Sequence, residues 1–322
     1  MTRIGYTLLG EQAGPKQLVR DAVRAEEAGF DFVAASDHHS PWLVEQGHSP
    51  YTWSVLGAVA HATERIDLMT YVTCPTMRYH PTVVAQKAAT IQLLSDGRFT
   101  LGLGAGENLN EHVIGAGWPP VDIRHEMLAE AVQIIQRMFE GETVTFRGTH
   151  IEAEGARLWD LPPDAPPIGI ACSGPRSARL AGEMADVMIA VQPEAELTKQ
   201  FDAAGGSGKP RVGQVGVSYD TDEAAARKRA LEQFRWFTGG WKVMAELPSP
   251  AGFDAASKSV TEEEIAAQLP CGPDVSKYVE AVKEFLDAGF TDVGLVQVDA
   301  AQQDAFLDWA QRELLPALRE LG

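Results

Sequence analysis

A parallel (β/α)8 barrel is the fold class this sequence predicts, and three observations predict it. Strand-like apolar runs alternate with helix-like stretches along almost the whole chain, the order expected when helices cover a parallel sheet. The 322 residues, 45% apolar and 22% charged, can bury one large core. The same turn recurs near both ends: Glu26-Glu27-Ala28-Gly29-Phe30-Asp31 and Leu286-Asp287-Ala288-Gly289-Phe290-Thr291-Asp292 each end a helix at glycine and begin a buried strand. A doubly wound sheet is the second architecture compatible with this order.

Met1-Thr2-Arg3 runs into the first strand, Arg3 to Leu9, with no signal-peptide pattern. The helix Pro15 to Ala28 stops at Gly29, and the second strand, Phe32 to Ser36, ends in Asp37-His38. Then follow the helix Trp53 to Thr63, the strand Ile66 to Val72, the helix Pro81 to Leu94, the strand Phe99 to Gly104 and the helix Ile123 to Phe139. Glu142 to Trp159 alternates like a hairpin, and Pro162-Pro163-Asp164-Ala165-Pro166-Pro167 is a stiff loop opening the second half. That half reads as strand Pro167 to Cys172, helix Pro175 to Met184, and strands Val187 to Val191 and Val212 to Tyr219. It closes with helices Asp222 to Phe237 and Val275 to Ala288, strand Val293 to Val298 and a helix from Ala301 to Leu321. Pro81 and Pro175 stand where a first helical turn tolerates proline. Residues 1–322 form one domain on this reading, and 239–260, with Pro248 and Pro250, is an insertion after the seventh strand, where barrels carry lids.

Composition narrows the chemistry. The 27 basic and 45 acidic residues leave a net charge of −18, which repels nucleic acid and anionic lipid. No stretch approaches the roughly 18 uninterrupted apolar residues of a membrane span. Cys74, Cys172 and Cys271 are odd in number and widely separated, which suits reduced thiols in a cytoplasmic protein rather than disulfides or a zinc ribbon. The expected partner is a small-molecule substrate.

Three segments carry candidate chemistry. Asp37-His38 ends an apolar strand, and catalytic groups of barrel enzymes collect at such ends; an imidazole titrates near neutral pH and suits proton transfer. Trp42 offers an aromatic wall, or simply core. Glycines 102, 104 and 106 followed by Glu107 lack the spacing of a dinucleotide fingerprint, and no amphipathic helix is expected directly after them. Their missing side chains instead let a flat ligand approach, with Glu107 and Asn110 at its edge. Cys172-Ser173-Gly174-Pro175 passes from strand to helix, where backbone N–H groups favour an anion, with Arg176 or Arg179 nearby in sequence. No metal is expected: His38 and His39 are adjacent and point to opposite faces. Gly205-Gly206-Ser207-Gly208-Lys209-Pro210 lacks the Ser or Thr of a phosphate-binding loop and reads as a connector.

Together, Ser36-Asp37-His38 with Pro41-Trp42, Thr73-Cys74-Pro75-Thr76-Met77-Arg78-Tyr79-His80-Pro81, Gly104-Ala105-Gly106-Glu107-Asn108-Leu109-Asn110-Glu111 and Gly174-Pro175 resemble the F420-dependent glucose-6-phosphate dehydrogenase group of the luciferase-like superfamily. The resemblance implies a (β/α)8 barrel, a homodimer, and F420, an 8-hydroxy-5-deazaflavin, at the carboxyl ends of the strands; FMN, serving a monooxygenase, is the alternative cofactor. It makes His38 the base for the substrate hydroxyl, Trp42 a stacking wall and Glu107 the acid near N1 of the ring. It places Asp37, Cys74, Asn110, Ser173 and Gly174 at the cofactor, and it makes the Tyr71-Val72 peptide a bulge behind the ring, often with a non-prolyl cis bond. The resemblance implies hydride transfer between C5 of the deazaflavin and an alcohol or carbonyl substrate, whether sugar, sugar phosphate or secondary alcohol; where the sugar-phosphate enzymes carry phosphate-binding lysines, this chain has Glu194 and Ala267 or a neighbour, which weakens the case for glucose 6-phosphate.

Overall fold

The computed structural model describes residues 2–322. Eight strands, all paired in parallel, close into a barrel: β1 (Arg3–Leu8), β2 (Phe32–Ala35), β3 (Asp67–Thr70), β4 (Phe99–Leu103), β7 (Ile168–Ala171), β8 (Val187–Ile189), β9 (Arg211–Val217) and β10 (Asp292–Gln297). β10 returns to pair with β1, so no strand edge is left open. Alternation along β2 explains the layering. Phe32 and Ala34 point into the barrel with Met69, Tyr71, Val187, Ile189 and Val212, whereas Val33 and Ala35 join the layer beneath the helices. The barrel floor is therefore hydrocarbon.

The helices α1 (Pro15–Ala28), α2 (Thr52–Ala62), α3 (Pro81–Leu94), α5 (Val121–Phe139), α6 (Pro175–Met184), α8 (Glu223–Phe234) and α12 (Val275–Asp287) fall where the periodicity places them. Gly29 and Gly289, the two ends of the repeated turn, both have positive φ, +97° and +93°, the region that favours glycine. The predicted hairpin is an antiparallel pair outside the barrel, β5 (Val144–Arg147) with β6 (Glu152–Ala156).

Several details differ from the sequence reading. β3 stops at Thr70; the Tyr71–Val72 peptide beyond it is cis, as the resemblance implied. A short helix, α4 (Asn108–Glu111), does begin directly after the glycines of β4. Another, α7 (Ala195–Phe201), occupies the β8–β9 connection, burying only Leu197, Thr198 and Phe201, too few for a periodic signal. The closing helix is divided into α13 (Gln303–Trp309) and α14 (Leu315–Arg319) by a widened turn at Ala310–Leu314, because Pro316 has no N–H to continue the ladder.

The segment after β9 carries α9 (Trp241–Met244) and α10 (Pro250–Ser257), followed by α11 (Glu262–Ala266). The helix expected to run to Phe237 ends at Phe234 and tightens into a turn over Arg235–Gly239, where Gly240 reverses the chain at φ +71°. Its residues build a second apolar cluster with Trp42, Leu43 and Leu109, above the strand ends. Among the described residues no helix is long and apolar enough to cross a membrane.

Candidate active site

The carboxyl ends of the strands open into a cleft lined by His38, Trp42, Tyr71, Val72, Glu107 and Asn110, which the sequence singles out, together with Glu11, Arg78, Glu111 and Trp236, which it does not. Asp37, Cys74 and Ser173 also border it.

His38 leaves β2 into the cleft while its neighbour His39 turns to solvent, as alternation requires. Glu11, just past the end of β1, lies with Oε1 2.5 Å from His38 Nδ1, and Glu107 Oε2 lies 3.5 Å from Nε2. Ser36 donates to the same Glu11 oxygen at 3.0 Å. The imidazole is thus held at Nδ1 and presents Nε2 to Glu107 and the cleft. Burial works against the imidazolium, but Glu11 and Glu107 outweigh it and hold His38 up at about 9. Burial pushes Glu107 up to about 6, helped by Glu11 and Glu111 against the pull of His38. Burial also opposes ionisation of Glu11, yet the His38 charge and hydrogen bond prevail and its carboxyl lies below the ordinary range. Among the described residues Glu11 Oε2 has no hydrogen-bond partner, and His38 Nδ1 has none beyond its close ionic contact with Glu11 Oε1.

Asp37 borders the cleft, but protein donors fill its oxygens. Trp53 Nε1 and Thr73 Oγ1 each donate to Oδ2 at 2.9 Å, and Tyr79 Oη donates to Oδ1 at 3.3 Å. Arg78 adds its charge 3.7 Å from Oδ1 and donates to the Asp37 carbonyl. The same arginine grips Glu111 with its backbone N–H and its Nε, both at 2.9 Å. Asp37 therefore braces the His38 loop from the border of the cleft. Asn110 is committed in the same way: Oδ1 accepts from the backbone N–H of His39 at 2.8 Å and of Ser40 at 3.2 Å, and Nδ2 donates to Glu107 Oε2 at 3.1 Å. It orients Glu107 from behind.

Trp42 is 4% exposed and stands edge-on to His38, ring centroids 5.0 Å apart. Trp236 stacks on its other side at 4.2 Å and 8°. The cleft floor is apolar: Tyr71, Val72, Ala105, Ala171 and Ile189 line it, and Gly104 and Gly106 add no side chains. A Cβ on Gly104 would stand 2.6 Å from Val72, and one on Gly106 2.8 Å from Cys74 Sγ, so the glycines let the strand end approach the Tyr71–Val72 peptide. Burial pushes the Cys74 thiol up to about 12, which leaves it a packing group and not a nucleophile.

At the start of α6, the N–H groups of Ser173 and Gly174 point at Ser177 Oγ, 3.1 and 3.3 Å away. Gly174 has extended backbone, and a Cβ there would meet nothing within 4 Å, so neither conformation nor packing inside the protein requires glycine. The two arginines expected at this seat are engaged elsewhere, Arg176 with Asp122 and Arg179 with Gln200. Glu194 and Ala267 are exposed and do not line the cleft, so the charge argument against a phosphate built on Glu194 loses its basis.

With this geometry in hand, comparison with known proteins is decisive. The luciferase-like monooxygenase family model matches residues 1–292. The chain belongs to that family. F420-dependent glucose-6-phosphate dehydrogenases from Beutenbergia cavernae and Nakamurella multipartita are 37% and 36% identical to it, each over 99% of this chain and 98% or 97% of the relative. An F420-dependent secondary alcohol dehydrogenase, solved with an F420–acetone adduct, superposes with a TM-score of 0.89 at 29% identity, covering 99% of both chains. The F420-dependent tetrahydromethanopterin reductase of Methanopyrus kandleri, at 20% identity and a TM-score of 0.76 over 98% of this chain and 99% of its own, shares the fold.

The residues present fit a tricyclic deazaflavin. The floor is apolar, Glu107 offers a carboxyl with a raised affinity for protons at its edge, and Gly174 leaves free space at the helix start that the tail phosphate would approach. Glu11, Arg78, Glu111 and Trp236 are the residues sequence reasoning did not single out, Arg78 and Glu111 standing without a role inside the motifs that carry the resemblance. The only local signal for Glu11 is a carboxylate directly after a buried strand, and Trp236 lies almost 200 residues from its stacking partner.

Proposed function

We propose that this protein is an F420-dependent oxidoreductase that interconverts an alcohol and its carbonyl compound, with His38 moving the hydroxyl proton. The observation that carries this reading is the imidazole held between Glu11 and Glu107 over an apolar floor, in a chain whose full-length relatives are named for F420-dependent dehydrogenation. When bound, the deazaflavin supplies a two-electron hydride acceptor at C5.

The protein's own part is positioning and proton transfer. Glu11 fixes Nδ1, so Nε2 is the atom that takes the hydroxyl proton in oxidation and returns it in reduction. Glu107, oriented by Asn110, holds or releases a proton at the ring edge. Trp42 walls the site edge-on to His38 and, with Trp236, keeps water from that side. Tyr71, Val72 and Cys74 would back the ring, and Ser173 and Gly174 would hold the tail if their N–H groups exchanged Ser177 Oγ for it.

Cys74, Cys172 and Cys271 are free and buried, which fits a cytoplasmic enzyme, and a homodimer is the assembly that sedimentation is expected to find. The deciding experiment is a fluorescence titration with F420, with FMN as control, followed by substrate-dependent bleaching of the oxidised cofactor. F420 binds selectively, and His38→Ala lowers turnover by about a hundredfold or more with the F420 dissociation constant little changed. Selective binding of FMN, or undiminished turnover in His38→Ala, would overturn the reading.

A further inference from the structure

Charge and hydrocarbon are segregated across the mouth of the barrel. Glu11, Glu107 and Glu111 line one side. Two arginines border the cleft, and each has its charge paired by a carboxylate, although Arg124 Nε has no hydrogen-bond partner among the described residues. Arg78 is saturated by Asp37 and Glu111. Arg124 donates to Glu246 at 3.0 Å and to the Pro119 carbonyl at 2.9 Å, with its guanidinium 4.1 Å from the centre of the Trp118 ring. No lysine is among the lining residues.

The adjoining wall is aromatic. Trp42, Phe234, Trp236, Phe237 and Trp241 line it together with Met244. Trp42, Phe234, Trp236 and Met244 are buried against one another and Phe253, and form a backing layer. Phe237 and Trp241 pack on that layer while remaining half-buried, so they keep apolar surface to offer a ligand. A phosphate dianion here would lose its hydration facing three carboxylates, a His38 cation already paired with Glu11 and Glu107, and two arginines already paired with carboxylates, whereas an apolar body would gain by leaving water.

Resting on the reading of this site as an F420-dependent alcohol–carbonyl oxidoreductase, we propose that the substrate is an uncharged alcohol, or the matching ketone, with a cyclic or aryl-alkyl body seated on Phe237 and Trp241, and that phosphate esters are excluded. The oxidation balances simply. The carbinol C–H leaves as hydride to the deazaflavin, the O–H proton passes to His38, and the C–O bond becomes a carbonyl.

The test compares cyclohexanol, 1-phenylethanol, glucose and glucose 6-phosphate with the F420-loaded enzyme, and measures binding of cyclohexanone and glucose 6-phosphate to cofactor-free protein by tryptophan fluorescence. The two apolar alcohols show kcat/KM values above that of glucose 6-phosphate by about a hundredfold or more. Cyclohexanone perturbs the fluorescence, and glucose 6-phosphate at equal concentration does not. Phe237→Asn lowers kcat/KM for 1-phenylethanol by about tenfold or more, Phe237→Leu retains most of it, and the F420 dissociation constant is unchanged in both. Efficient oxidation of glucose 6-phosphate would overturn the substrate assignment and leave the cofactor reading standing. So would F420 binding without turnover of either apolar alcohol. Failure to bind F420 at all would overturn the cofactor reading itself.

Discussion

The two sides of the mouth are built on opposite principles. From Glu11 to Glu111 the chain concentrates ionisable groups in a nearly closed network: Arg78, Asp37 and Glu111 have side chains 7%, 1% and 1% exposed and satisfy one another. From Phe234 to Phe253 it supplies rings and one thioether, with charges turned outward, as where Arg235 bridges Glu45 and Asp254. The first side can change a proton's affinity, and the second can only shape and dry the space. Reaction type and substrate choice are thereby placed on different stretches of chain, so each should fail separately.

Removing Arg78 tests this division most severely. Arg78→Met keeps much of the volume but leaves Asp37 and Glu111 buried without their cation. Breaking a buried pair from one side costs about 3–5 kcal/mol, so urea unfolding should show a loss of that order. Phe237→Leu, across the cleft, should change stability by less than about 1.5 kcal/mol. Equal losses at the two positions would mean that the charged side is no more interdependent than the aromatic one.

Glu11→Gln should leave the fold standing and move the pH profile. His38 is held up at about 9, so at neutral pH its proton is on, and oxidation needs it off. The kcat/KM for alcohol oxidation should therefore climb about tenfold per pH unit below about 9 and level off above it, while carbonyl reduction, which needs the proton on, falls over the same range. Without the Glu11 charge, burial pulls the imidazole down and only Glu107 opposes it. The rise in oxidation should then level off at lower pH. The same profile in Glu11→Gln as in the unaltered enzyme would show that Glu11 only positions the ring. Phe237 variants should not move it.

The two sides also differed in how far sequence could foresee them. The charged side is written in short contiguous runs at strand ends: Asp37-His38 after β2, and the glycines leading to Glu107 and Asn110 after β4. Both runs reach the cleft because parallel strands of one barrel all end on the same face. What sequence could not supply was direction. Asp37 and Asn110 border the cleft, but their polar atoms are taken up by protein donors and acceptors, and that follows from Trp53, Thr73, Tyr79 and the His39 backbone, which converge only in three dimensions. On the aromatic side, the stacking of Trp42 on Trp236 joins β2 to the segment after β9, and no local pattern encodes such a pairing. The expected roles of Glu194 and Ala267 failed for a related reason: correspondence along the chain did not survive the path of α7 and α11, which leaves both residues exposed.

The smallest effect comes from a place where the α9 segment is tied to the charged side. Glu246, at the end of the α9 turn, accepts from Arg124 at 3.0 Å and from Trp118 Nε1 at 2.9 Å, while its carbonyl and that of Ala245 accept from Asn108. Its side chain is 53% exposed, so solvent screening keeps the contribution of the ion pair to stability at or below about 1 kcal/mol. Glu246→Ala should thus scarcely alter the unfolding midpoint, but it frees Arg124 at the edge of the cleft. If neutralised arginines are what exclude anions, this variant should oxidise glucose 6-phosphate measurably better than the unaltered enzyme, with its kcat/KM for 1-phenylethanol nearly unchanged. No gain with the phosphate ester would mean that exclusion comes from the shape of the aromatic wall instead, and Arg124 would then serve only to fasten the α9 segment.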